Sequence, residues 1–256
     1  MDKVDKVDLV VWPENSVDVD PYTDAYERDS LQKLVDSSGI PIIIGAVLQS
    51  PHGPQNASIL WMPNKGATST YLKIHLAPFG EYMPLRPLAE FLSPYAKNVV
   101  DFIPGRTLIV HSVGGARLAP AICYELVDDQ LGRAMNARSN VMLVQTNSAT
   151  FGLSAESAQE LEMVRIRAIE HQRYAVSIST SGVSAIIGSN GQVLAETKQN
   201  DPEVLRYDIP FNSSQSVSDR LGNSAEILMI LIPSIIYSLL LLAHRNYRLN
   251  RRRRVK

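Results

Sequence analysis

Residues Ile227 to Ala243 read "ILMILIPSIIYSLLLLA", 17 positions without a charge, and a dense basic tail follows directly. At about 1.5 Å per residue this run makes a helix of roughly 25 Å, at the short end of what crosses a ~30 Å hydrocarbon core. A buried core helix is the alternative, but core helices seldom end in a run of arginines, so a transmembrane helix is expected. Seven of the 25 basic residues lie after His244, leaving 18 basic against all 26 acidic residues in positions 1–244. The body is therefore formally −8 and the tail +7, and the net −1 describes neither. By the positive-inside rule the tail stays in the cytoplasm and the acidic body lies on the outer side. A basic run set against a span suits a topology signal and an anionic-lipid anchor better than a nucleic-acid site. A body outside and a C-terminal span demand an export element, and "MDKVDKVDLVVWPEN" at the start holds no signal peptide; one is expected ahead of Met1.

The body has ordinary globular composition, 45% apolar and 20% charged, and is long enough for one large domain. Its patterning predicts short buried strands at 9–12, 41–49, 57–62, 67–72, 107–113, 117–123, 140–146, 174–180, 183–189, 192–198 and 203–209, separated by Gly, Asn or Pro turns. Helical periodicity covers 24–37, 125–138 and 155–173. Positions 76–105 differ: five prolines and five aromatics interrupt any period, which predicts an ordered loop covering a site, with its apolar residues either facing a lipid or joining the core. The expected class is α/β.

The only cysteine, Cys123 in "AICYEL", falls where a buried strand ends and a helix is expected to begin. Helix N–H groups there would favour a thiolate, whereas a small buried apolar role is the alternative for any lone cysteine. Glu125 opposes ionisation, so a nucleophile here needs a cation or a base from elsewhere. His75 is one possible partner. Two other strand ends supply better ones, Glu14 in "WPEN" and Lys73 in "YLKIHLAPFGEYMP". A solvated surface role is the ordinary expectation for each polar residue alone. Together they can perform acyl chemistry: Glu14 takes the thiol proton, Cys123 attacks a carbonyl, and Lys73 with the Tyr124 backbone N–H holds the oxyanion. "NAS" at Asn56 fits a glycosylation acceptor, a pattern common by chance.

In that order "WPEN", "KIHLAPFGEYMP" and "CYE" resemble the nitrilase (carbon-nitrogen hydrolase) superfamily, and with the C-terminal span they look most like its apolipoprotein N-acyltransferase family. "NSATFG" and "RIRAIEHQRYAVSISTSGVSA" are similar to that family too, so the resemblance covers about residues 8–245. It implies a nitrilase-like α-β-β-α sandwich over residues 1–222, a transmembrane helix at 223–244 and a basic cytoplasmic tail at 245–256. It also implies Glu14 as base, Lys73 as the amine that stabilises the intermediate and Cys123 as nucleophile, supported by Glu81, Tyr124 and Glu125. The implied reaction moves an acyl chain from a membrane phospholipid, through a Cys123 thioester, to the α-amino group of the diacylglyceryl-cysteine of an apolipoprotein. Neither cofactor nor metal takes part, and the implied place is the bacterial inner membrane with the catalytic domain on the extracytoplasmic face. Two departures stand out. The family carries membrane helices and the sandwich's first strand and helix ahead of the matching segment, so the sandwich is expected to be N-terminally truncated here. Thr150 also stands where relatives often have an aromatic. A membrane-anchored amidase or nitrilase, and an inactive remnant, are the competing readings.

Overall fold

The computed structural model describes residues 7–152 and 154–254; the first six residues of the expected catalytic domain and the last two of the basic tail, Val255 and Lys256, lie outside the described residues. Two compact units divide between Ser216 and Val217. In the first, the chain runs β1 (Val10–Val11), α1 (Ala25–Ser38), β2 (Ile42–Ser50), β3 (Gly53–Met62), β4 (Gly66–Leu72), α2 (Arg86–Leu92), β5 (His111–Val113), β6 (Ala116–Ile122), α3 (Asp129–Asn136), β7 (Val141–Thr146), α4 (Glu156–His171), β8 (Ala175–Ser179), β9 (Ala185–Ile187) and β10 (Val193–Glu196).

Alternation in β2 explains the layering. Ile42, Ile44, Ala46 and Leu48 bury against Leu31 and Val35 of α1, while Ile43 points the other way, to Leu60, Leu118, Val141 and Leu143 between the sheets. The first sheet has the order β1-β2-β3-β4, the second β10-β9-β8-β7-β6-β5. On the far face of the second sheet, Leu161, Val164 and Ala168 of α4 cover Val144, Ala175, Ala185 and Ile187, and Leu131 and Met135 of α3 pack with Ala119 and Ala121. These layers form the expected α-β-β-α sandwich. Helix α1 begins where the Asp24 carboxylate accepts the Glu27 N–H at 2.9 Å, and ends at Gly39, left-handed at φ 66°, whose N–H bonds Val35 O.

The structure departs from the sequence reading in four places. Residues 203–209 form no strand: Val204 is exposed, and the segment crosses back so that Ile209 joins Val113 and Ala116 in the inter-sheet core. Only His111–Val113 of 107–113 enters a ladder, because Leu108, Ile109 and Val110 anchor through side-chain packing instead. The helix expected at 125–138 is two pieces, a 3₁₀ turn at Cys123–Val127 and α3, since the Asp128 side chain accepts the Leu131 N–H at 2.6 Å and starts the second piece afresh. Within 76–105, Pro84 precedes a short helix, α2, with Pro87 in its first turn, and Arg86 ties it down by bonding Val99 O at 3.0 Å and pairing with Asp101.

The second unit comprises α5 (Val217–Leu221) and α6 (Ser224–Arg254). The stretch Glu226–His244 of α6 is long and apolar enough to cross a membrane by length and composition. Its polar interruptions are satisfied within the helix: Ser234 Oγ donates to Ile230 O at 2.7 Å and Ser238 Oγ to Ser234 O at 2.8 Å.

Candidate active site

Three strand ends supply the site. Glu14 follows β1 by three residues, Lys73 follows β4 directly, and Cys123 follows β6 directly. The turn carrying Glu14 lies across β2 at Gly45, where an added Cβ would stand 2.4 Å from Pro13 O and 2.7 Å from Glu14 Cα. Only glycine admits that approach. Asn15 then takes a left-handed conformation (φ 52°), which asparagine tolerates, and Ser16 Oγ accepts the Gly45 N–H at 3.1 Å. On the other sheet, Gln145 Nε2 donates to Trp12 O at 2.7 Å, pinning the same turn from β7.

The Lys73 ammonium is 1% exposed and lies 2.8 Å from Glu81 Oε2 and 3.6 Å from Glu14 Oε1. Asn56 Nδ2 donates to both carboxylates, at 2.6 Å to Glu14 and 2.9 Å to Glu81. Glu81 also accepts the Ala77 N–H at 2.8 Å, so the 76–105 loop closes on the site through this residue. Burial on its own lowers the Lys73 pKa, but Glu14, Glu81 and the thiol more than offset it and the net shift is upward. Lys73 is therefore a fixed cation. Burial raises the Glu14 pKa, with Lys73 and Asn56 opposing, which suits a carboxylate that must accept a proton.

Cys123 is half-buried and left-handed at φ 49°, a strained turn for a non-glycine residue that lifts the thiol off the end of β6. Burial first, then the Glu14 charge, push its pKa up to about 12, with Lys73 acting the other way. The low thiolate pKa expected from a helix N-terminus is corrected: the turn is 3₁₀ and short, and the surroundings carry more carboxylates than cations. The resting group is therefore a thiol.

Glu125 does not act as the expected field on that thiol. Its Oε1 accepts from Tyr71 OH (2.7 Å), Ile74 N (2.7 Å) and His75 N (3.1 Å), and its Oε2 from Ile122 N (2.8 Å). It is a clamp that joins the Cys123 turn to the residues after Lys73. Besides Glu14, the carboxylate that meets the thiol is Glu160 of α4, whose Oε1 lies 3.9 Å from Cys123 Sγ. The Tyr124 side chain is exposed beside the thiol in sequence, and His75 pairs with Asp128 Oδ2 at 2.7 Å. Among the described residues, no group of three His, Cys, Asp or Glu side chains is set to hold a metal ion.

Sequence reasoning missed Asn56 and Glu160. Asn56, 2% exposed and engaged with two carboxylates, is no glycosylation acceptor. Its signal was an amide directly before the buried apolar run that begins at Ala57. Glu160 sits at the edge of the stripe Ser157, Leu161, Val164, Ala168 that α4 buries, and a carboxylate at such an edge is the one that reaches inward.

Known proteins share this arrangement of chain. An apolipoprotein N-acyltransferase of Mycolicibacterium smegmatis is 32% identical over 87% of this chain and 39% of its own length, and one of Pseudomonas syringae pv. tomato is 30% identical over 78% and 40%. The chain thus spans about two fifths of the curated relatives it matches. Among solved structures, an amidase from Nesterenkonia sp. AN1 superposes with a TM-score of 0.61 at 19% identity, over 88% of this chain and 86% of that one, a likeness of fold. The Carbon-nitrogen hydrolase family model matches residues 1–219, and this chain belongs to that family.

Proposed function

We propose that the protein transfers a fatty acyl chain from a membrane phospholipid, through a thioester on Cys123, to the α-amino group of the N-terminal diacylglyceryl-cysteine of apolipoproteins. The observation that carries the reading is the buried Lys73 ammonium held between Glu14 and Glu81, in the field of a thiol on a strained turn. Glu14 accepts the thiol proton as sulfur attacks the ester carbonyl, then returns it to the departing lysophospholipid oxygen. Lys73, with the Tyr124 N–H, faces the oxyanion. Glu81 and Asn56 fix Lys73 and Glu14 in register, and Glu125 fixes the turn.

A lipid donor requires a site beside the bilayer. The apolar α6 supports this, and so does the 76–105 loop, where Phe79, Leu85, Leu88, Phe91, Leu92 and Tyr95 are exposed rather than drawn into the core. In this reading residues 1–222 catalyse, 223–244 span the bacterial inner membrane, and 245–256 form a cytoplasmic tail, with the site on the extracytoplasmic face. The similarity to apolipoprotein N-acyltransferases supports the acceptor.

The test is incubation of the full chain with phospholipid vesicles and a diacylglyceryl lipopeptide. One acyl mass on Cys123 and an N-acylated peptide are expected, and both vanish in Cys123→Ser. Free fatty acid without N-acylated peptide would move the assignment to an amidase-type hydrolase. Undiminished turnover by Cys123→Ser would refute it.

A further inference from the structure

A second carboxylate faces the thiol from α4, apart from the Glu14–Lys73–Glu81 cluster. Glu160 Oε1 lies 3.9 Å from Cys123 Sγ, and Oε2 accepts from Ser148 Oγ at 2.9 Å. Ser148 in turn lies 2.9 Å from Ser179 Oγ, which accepts the Gly182 N–H at 3.1 Å, so one oxygen of Glu160 is tied to the ends of β7 and β8. The other oxygen receives its hydrogen bond from the thiol. Glu160 is also half-buried rather than sealed, open to a ligand.

We propose that Glu160, held by Ser148, docks the protonated primary amine of the acyl acceptor against the Cys123 thioester and takes its first proton; the inference rests on the acyl-transfer reading above. Acylation removes the S–H and leaves Glu160 Oε1 without that donor. A primary ammonium restores it, with three N–H groups and a positive charge. Three carboxylates (Glu14, Glu81 and Glu160) and one ammonium (Lys73) act on the sulfur, an imbalance that opposes a thiolate and favours an incoming cation. An α-amino group, with an ordinary pKa of about 8, arrives protonated at neutral pH. Burial raises the Glu160 carboxyl pKa, and Glu156 adds to the shift while Ser148 and the thiol oppose it, which suits a proton acceptor.

The step balances as follows. Glu160 takes one proton from the ammonium, and the amine nitrogen forms a C–N bond to the thioester carbonyl. The nitrogen passes its second surplus proton to Glu14, the C–S bond breaks, and the sulfur recovers a proton from Glu160. The products are an amide and a free thiol, and the proton left on Glu14 goes to solvent.

The experiment separates the half-reactions in the full chain with phospholipid vesicles as donor. The Cys123 thioester is measured by mass, then discharged by a diacylglyceryl lipopeptide bearing a free N-terminus, or by hydroxylamine, which is neutral at pH 7.5. Because Glu160 also contacts the thiol, Glu160→Gln is read by the ratio of its steps, and its thioester formation and hydroxylamine discharge are expected to change far less than its transfer to the lipopeptide. Its transfer to the lipopeptide is expected to fall by about 10- to 100-fold, the loss of a charge-assisted bond, with partial recovery in Glu160→Asp. Wild-type aminolysis by Glu160→Gln would overturn the inference, and so would an equal loss of thioester formation or of hydroxylamine discharge. A wild-type protein that forms no thioester on Cys123 would instead sink the acyl-transfer reading, and this inference with it.

Discussion

Replacing Gly45 by alanine tests whether the Glu14 turn is positioned by its contact with β2. The new Cβ would lie 2.4 Å from Pro13 O, 2.7 Å from Glu14 Cα and 2.8 Å from Asn15 N, all backbone atoms that no side-chain rotation relieves. Opening the shortest contact to the ~3 Å at which such atoms coexist moves the turn by roughly 0.6 Å. Overpacking of this kind costs about 1–3 kcal/mol, less than most domains hold in reserve, so the variant is expected to fold. The same shift carries Glu14 away from its 2.6 Å bond to Asn56 and from Lys73. Misplacement on the order of 1 Å at a reacting group costs about 100-fold in rate, and a shift somewhat smaller than that is expected to cost roughly 10- to 100-fold. The assays are a urea midpoint by circular dichroism and the single-turnover rate of Cys123 acylation from phospholipid vesicles. A lowered midpoint with a rate loss far beyond the unfolded fraction is expected. An unchanged rate in a destabilised protein would show that Glu14 tolerates the displacement and is not held by this contact, and an unchanged midpoint would show that no displacement occurs.

Lys73→Met leaves Glu14 and Glu81 buried without their cation, so thioester formation should disappear and the urea midpoint should drop by an amount equivalent to about 3–5 kcal/mol; a variant as stable as wild type would contradict the buried pairing. His111 lies fully buried between Ser58 Oγ (3.1 Å) and Ser69 Oγ (2.8 Å), and burial lowers its pKa from 6.5 to about 4. A depressed folded pKa contributes stability above pH 6.5 that is lost as pH falls toward 4, because only the unfolded chain takes the proton in that window; the size is about 3 kcal/mol. The stability difference between wild type and His111→Gln should therefore shrink between pH 7 and pH 4, and a difference independent of pH would refute the assignment.

Electrostatics at the site run against the simplest picture of a reactive cysteine. The sulfur is not prepared as a thiolate by a nearby helix, because its proton is held by burial and by surplus carboxylate charge. In the proposed reaction, attack is coupled to proton transfer, and the Glu14 carboxyl, whose pKa burial raises, is matched to that transfer.

Much of the molecule was legible in order along the chain. The strands at Ile42–Ser50 and Val141–Thr146, the helices at Ala25–Ser38 and Glu156–His171, and the apolar stretch of α6 follow from period, caps and length, which neighbouring residues express by themselves. Glu14, Lys73 and Cys123 stood out in the sequence because each follows an expected strand, and the structure puts each just past a strand, Glu14 and Lys73 on the first sheet and Cys123 on the second. Tertiary structure decided what no local pattern contains. Residues 203–209 alternate as a strand does, yet no strand edge receives them, and Ile209 is drawn to the inter-sheet core instead. Glu125, two positions from the thiol in sequence, turns away to bind four donors, whereas Glu160, 37 positions distant, is the carboxylate that touches it. Asn56 looked like a surface acceptor and is buried between two acids. The physical reason is common to all three: where an apolar side chain finds a core, or a desolvated polar one its partner, depends on how sheets and helices stack rather than on spacing along the chain.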